Sequence, residues 1–334
     1  MTAGGLFLVT GGAGFIGSNV AAALAEDPEA EVVVCDTLGA ADHGKWRNIA
    51  KRPLADLIAP DELFDWLSVN GGRVEAVVHM GAISSTTETD VDLIVEVNFR
   101  LSRDLFLWCE DARRRFVYAS SAATYGDGAL GFEDRQDIAW LDRLRPLNAY
   151  GWSKALFDRW AVRRAASGEG PPHWTGLKFF NVYGPNEGHK GEMKSVIAKI
   201  VPDIVRGAPV TLFKSGEPAY PDGGQMRDFV YVRDAAACVA WLARGGGASG
   251  VFNFGSGQAR SFADLARAAF AAAGREPQID YVDMPEALRG RYQYYTCATM
   301  DRLREAGWNA PPTSLESGVD DYVRRFLLTE DQYL

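Results

Sequence analysis

Short apolar runs, many of them β-branched, alternate along the first half of the chain with longer stretches of helical periodicity. Leu6-Phe7-Leu8-Val9 reads as a buried strand, and Ile16 to Leu24 as the helix that follows it. Glu31-Val32-Val33-Val34-Cys35 and Val74 to His79 read as strands, the latter followed by a loop and a helix over roughly 91–110. Phe116 to Ala119 and Trp174 to Phe180 extend the series. Strands alternating with helices predict βαβ units and a parallel sheet. Strands apolar on both sides predict a sheet covered on both faces. The texture changes over 181–227, which is rich in Gly, Pro, Lys and Asn. Arg227 to Val232 then resumes a core-like pattern, ahead of a helix from Asp234 to Ala243 and a surface turn at 244–249. The expected fold class is α/β: a doubly wound parallel sheet with a smaller interwoven α/β lobe. The first unit is expected over 1–180 plus about 227–250, and the second over about 181–226 and 251–334.

Composition narrows the function. Of 334 residues, 35 are Lys or Arg and 44 are Asp or Glu, a formal net charge of −9. Phosphate-backbone binding needs a clustered basic surface, so nucleic acid is disfavoured as a partner. No run of ~18 apolar residues exists to cross a membrane, and the N-terminus lacks the pattern of a signal peptide. Cys35, Cys109, Cys238 and Cys297 are far apart, which predicts reduced thiols and a cytoplasmic setting. His43, His79, His173 and His189 have no metal-ligand spacing, so no metal site is expected.

Chemistry enters through three motifs. Gly11, Gly14 and Gly17 follow a strand and open a helix. Glycines there permit a tight turn and close approach of a pyrophosphate to the helix N-terminus, which predicts a Rossmann-type dinucleotide site. Asp36 ends the second strand near the expected ~20-residue spacing, where a carboxylate receives ribose hydroxyls and favours NAD. Lys45 and Arg47 follow; either could reach a 2′-phosphate, or both are loop charges, so the residues alone leave NAD and NADP open. His79-Met80-Gly81-Ala82 ends a strand at the cofactor edge. Tyr150 and Lys154 stand at i and i+4, on one helix face. A neighbouring ammonium and a nicotinium charge favour the phenolate, which can then take a hydroxyl proton. Ser121, rather than Ser120, is positioned to donate to the reacting oxygen.

Together T-G-G-A-G-F-I-G, Ser120-Ser121 before A-A-T-Y-G, Y-x-x-x-K and F-N-V-Y-G-P resemble the extended short-chain dehydrogenase/reductase family. Ser84-Ser85-Thr86-Thr87-Glu88, A-S-S-A-A-T-Y-G, Glu187-Gly-His-Lys-Gly191, Arg227 to Val232 and Gly290-Arg-Tyr-Gln293 are similar to its ADP-L-glycero-D-manno-heptose 6-epimerase branch. The resemblance implies an NADP-dependent isomerase that inverts C6 of the ADP-linked heptose for the lipopolysaccharide inner core, working as a homo-oligomer, with a pentamer as one form. It implies Tyr150 and Lys190 as two acid/base groups, with Lys154 and Ser121 supporting them. Gly11, Gly14, Phe15, Ile16, Gly17, Asp36, Thr37, Lys45, Met80, Gly81, Ala82, Ser84, Asn98, Lys154, Val182 and Lys190 would bind cofactor. Substrate would meet Ser84, Ser121, Asn181, Glu192, Lys199, Phe213, Lys214, Ser215, Gly216, Arg227 and Tyr292. Met80, Glu192, Lys199 and Pro60 depart from the branch's usual residues. A 4-epimerase of the same family is the nearest alternative, and a non-catalytic dinucleotide-binding regulator is a second. Ala122 and Ala123 replace the acids that a 4,6-dehydratase needs.

Overall fold

The computed structural model describes residues 4–286 and 292–334. Gly290 and Arg291, part of one motif above, lie outside the described residues. Its strands are β1 (Leu6–Thr10), β2 (Glu31–Cys35), β3 (Asp56–Ile58), β4 (Val74–His79), β5 (Arg115–Ser121) and β6 (Trp174–Phe179). These are followed by β7 (Asn181–Tyr183), β8 (Val210–Phe213), β9 (Met226–Tyr231), β10 (Gly250–Phe254), β11 (Ala259–Ser261) and β12 (Ile279–Val282). A seven-stranded sheet runs β10-β6-β5-β4-β1-β2-β3 with every neighbouring pair parallel. The order 3-2-1-4-5-6 is that of the Rossmann fold. It reverses between β1 and β4, which opens a crevice beyond the carboxyl ends of the strands. β1 and β6 are buried along their whole length, as expected of a sheet covered on both faces.

The helix Phe15–Leu24 packs on Val232–Ala243, and both helices bury small residues, Ala21 and Ala22 in one and Ala236 and Ala240 in the other. Small side chains let the two backbones approach closely. A second core gathers Ile197, Ile200, Leu212, Phe229, Leu265 and Val319 around a three-stranded sheet, β11-β9-β7, and a β12-β8 pair. Ile16 and Val182 touch both cores, at the floor of the crevice. No helix among the described residues is long and apolar enough to cross a membrane.

Two expected boundaries differ from the structure. The division at 250/251 falls inside β10, which extends the large sheet by pairing with β6. Arg227 to Tyr231, expected in the first unit, instead forms β9 between β7 and β11. Both segments are short, and which strands each one pairs with is settled by tertiary packing.

Candidate active site

The turn after β1 is built for close approach. Gly11 has φ +65°, and a Cβ on it would lie 2.4 Å from Gly81 Cα. The loops after β1 and β4 therefore touch through two glycines. A Cβ on Gly17 would lie 2.1 Å from Gly11 O. No side chain caps the helix at Gly14, so its first N–H groups face the crevice unpaired by a cap. Such an uncapped N-terminus in a glycine cradle suits a diphosphate.

Asp36 follows β2 and bonds the glycine turn. Its Oδ2 accepts from Ala13 N at 2.9 Å, and its Oδ1 from Thr37 N at 2.8 Å. Lys45 Nζ donates to Asp36 Oδ1 at 2.6 Å and to Thr37 O at 2.7 Å. Lys45 is thus the cation at this carboxylate, whereas Arg47 turns away to stack on Trp46 and Tyr333.

At the end of β4, Met80 and Ala82 are half-buried, Ser84 is exposed, and Met80 N donates to Thr10 O at 3.0 Å. His79 is buried between Thr10 Oγ1 at 2.6 Å and Ser102 Oγ at 2.9 Å. Burial pushes its pKa down to about 3, with the Lys154 charge adding to the effect. Ser102 gives its own proton to Asn98 O, so it accepts from Nε2–H, and Thr10 donates to Nδ1. The expected cofactor ligand Asn98 sits in a π-helical turn and is committed elsewhere. Its amide binds both backbone groups of Ile83 and donates to Ser153 Oγ. It fixes the Gly81–Ser84 loop rather than presenting a free side chain.

Tyr150 and Lys154 rise from the helix Ala149–Ala166. Asn148 caps it by accepting from Gly151 N at 2.8 Å. Gly151 lets its first turn press on Ala123, just after Ser121; a Cβ there would lie 2.8 Å from Ala123 O. Tyr150 is thereby brought near Ser121, whose hydroxyl acts on its phenol. Burial raises the phenol above the usual tyrosine range, the Ser121 hydroxyl draws it down, and the Asp158 charge adds a rise. Lys154, 4% exposed, is pushed down to about 8 by burial, against an upward pull from Asp158.

The Gly188–Met193 turn carries Lys190, whose Nζ lies 5.3 Å from the centre of the Phe15 ring. Burial lowers its pKa, and Glu187 opposes this. Buried Glu187 roots the turn by accepting from Ser195 N and Oγ at 2.5 and 2.6 Å. His189 approaches Asn48 Nδ2 at 3.2 Å, and that nitrogen also donates to Ala13 O. Burial takes His189 to about 4, helped by Lys45 and Lys190. The second cation therefore sits at the glycine helix, across the crevice floor.

In the second lobe, the Arg227 guanidinium lies 5.2 Å from the Tyr292 ring and 5.6 Å from Phe262. Among the described residues its guanidinium has one hydrogen bond, to Met226 O, and no carboxylate pairs with it. Asp228 turns to Ser256, Gly257 and Ala298. Gly216 N donates to Tyr294 Oη at 3.1 Å, next to Phe213 and Ser215. Lys214, expected to face a diphosphate, pairs with exposed Asp283 at 3.2 Å. Asn181 is exposed beside half-buried Val182, and Glu192 lies fully in solvent, 3.4 Å from Lys199.

With this geometry in hand, comparison with known proteins decides the family. The NAD dependent epimerase/dehydratase family model matches residues 7–255. The chain belongs to this family. The ADP-L-glycero-D-manno-heptose-6-epimerase of Nitratidesulfovibrio vulgaris strain DP4 is 50% identical over 332 residues, 98% of this chain and 100% of that protein. The crystal structure of the Helicobacter pylori ADP-L-glycero-D-manno-heptose-6-epimerase superposes with TM-score 0.79 at 28% identity, covering 97% and 96% of the two chains. Thermus thermophilus UDP-glucose 4-epimerase, solved with NAD, gives TM-score 0.70 at 27% identity, covering 95% and 97%.

Membership makes the crevice a nicotinamide dinucleotide site, and the uncapped glycine cradle fits the diphosphate of that group. Two features of the epimerase/dehydratase site escape motif reading. One is Glu187, read only as part of a string. The other is the buried pair Asp158 and Lys178 beneath Tyr150 and Lys154. Spacing could have signalled Asp158, since it stands one turn beyond Lys154.

Proposed function

We propose that this protein interconverts ADP-D-glycero-D-manno-heptose and ADP-L-glycero-D-manno-heptose at C6, with tightly bound NADP. The observation that carries the reading is the second lowered lysine, Lys190, held at the glycine helix apart from Tyr150. Inversion through a ketone removes a hydroxyl proton on one face and supplies one on the other, so two acid/base groups serve it better than one. A dinucleotide held at the glycine turn of Gly11, Gly14 and Gly17 would supply the hydride acceptor and donor. Tyr150, as phenolate, takes the C6 hydroxyl proton while hydride leaves C6; Ser121 orients that oxygen. Lys154 supports the phenolate as an ammonium. The ketone turns, hydride returns to its opposite face, and Lys190 gives the oxygen its proton. The reverse direction exchanges the two roles. Arg227 is available to grip the substrate diphosphate, with Tyr292 alongside.

Lys45 supports NADP: it neutralises Asp36 and still has donor capacity for a 2′-phosphate. The assignment includes a homo-oligomer in the cytoplasm that serves lipopolysaccharide inner-core synthesis. The test is incubation with ADP-D-glycero-D-manno-heptose, with C6 followed by NMR. Inversion at C6 is expected. No change there, with C4 inversion of UDP-glucose, would replace the reading with a 4-epimerase.

A further inference from the structure

Beneath Tyr150 and Lys154 lies a buried charge that neither step uses directly. Asp158 continues the same helix face, at i+8 from Tyr150 and i+4 from Lys154. Its carboxylate accepts from Tyr118 Oη at 2.9 Å, Ser120 Oγ at 2.7 Å and Lys178 Nζ at 2.5 Å. Asp158 and Lys178 are each 1% exposed. Lys178 also donates to Thr124 Oγ1 at 2.7 Å and sits 5.1 Å from the Tyr125 ring centre. The donors come from β5 and from β6. The carboxylate therefore ties the strand end carrying Ser121 to the helix carrying Tyr150 and Lys154.

We propose that Asp158 is a positioning residue, the fixed negative charge that keeps Lys154 an ammonium and registers it against Ser121. The inference rests on the reading of Tyr150 and Lys154 as the reactive pair. A cation buried this deeply is costly unless an opposite charge faces it. The groups facing Lys154 are Asp158 one turn on, Tyr150 one turn back and His79 from β4, which burial keeps neutral. Among them Asp158 is the one carboxylate. Lys178 limits that effect by holding the carboxylate in a tight pair. A buried ion pair often adds little net stability, so its retention here is better explained by this electrostatic task.

The test uses the full chain with its cofactor and carbon-labelled lysine side chains, the Lys154 signal being assigned through K154M. In D158N/K178M, which removes both members of the Asp158–Lys178 pair together, the Lys154 midpoint should fall by about one pH unit from its value near 8. The alkaline limb of epimerisation should fall with it. In K178M, where the carboxylate loses its cation, both should rise. A general loosening of the structure would move the two variants alike. Should D158N/K178M not fold, the sign of the K178M shift decides. A Lys154 midpoint unmoved in folded variants, or moved in one direction by both, overturns the inference. Full epimerisation by K154M would instead overturn the role of the reactive pair and leave the electrostatic coupling standing.

Discussion

Replacing Lys45 with Met tests the adenosine end of the cofactor site most directly. The Lys45 ammonium is 2.6 Å from Asp36, with side-chain exposures of 22% and 9%. That places the pair between a surface ion pair, at about 0–1 kcal/mol, and a buried pair whose breakage costs about 3–5 kcal/mol. Two effects add when the lysine is removed. A 2′-phosphate loses a charge-assisted hydrogen bond of about 1.5–3 kcal/mol. It also meets an Asp36 carboxylate that is no longer neutralised. The first term alone weakens NADPH binding by about 10- to 100-fold. NADH, lacking the phosphate, meets a freed carboxylate suited to its ribose hydroxyls, and its affinity should hold or improve. The assay is fluorescence titration of cofactor-stripped K45M and wild-type enzyme with each reduced dinucleotide, at two salt concentrations. Equal weakening of both cofactors would refute the argument and make Lys45 a brace for the loop rather than a phosphate ligand.

Further expectations follow from the same geometry. Y150F and K190M should each lower epimerisation by about 10²–10⁴-fold while retaining cofactor, read by NMR of C6 and by absorbance of the released dinucleotide; full activity in K190M would remove the second acid/base. Because His79 is held near 3 in the fold against ~6.5 unfolded, the unfolded chain binds more protons between those values. Stability should therefore fall as pH drops from about 6.5, with a limiting slope of about 1.4 kcal/mol per pH unit from this residue, and H79Q should show a shallower acid loss in Tm. G17A places a methyl 2.1 Å from Gly11 O, and should purify without cofactor and melt earlier in calorimetry.

Much of the local structure was legible in sequence. Val74 to His79 forms its strand with those bounds, because a β-branched apolar run has few other ways to bury itself. Tyr150 and Lys154 were readable as a pair because helical periodicity alone puts i and i+4 together. The Lys45 question stayed open because a loop lysine's partner depends on where the loop folds back; the structure settles it on Asp36. Asn98 was readable as a polar residue within a helix, but not as the anchor of Ile83, since a π-helical turn changes which way its side chain points.

The high glycine content and the chain's −9 charge show the division in compact form. By itself the sequence determined the elements and the glycine turn, since these follow from short-range sterics and periodic burial. Tertiary structure alone decided that β9 leaves the large sheet while β10 joins it. It also decided that, among 44 acidic residues, Asp158 is sealed near Lys154 and Glu187 near Lys190. The effect of a charge depends on the water removed around it and on the partner brought to it, and both come from residues distant in sequence.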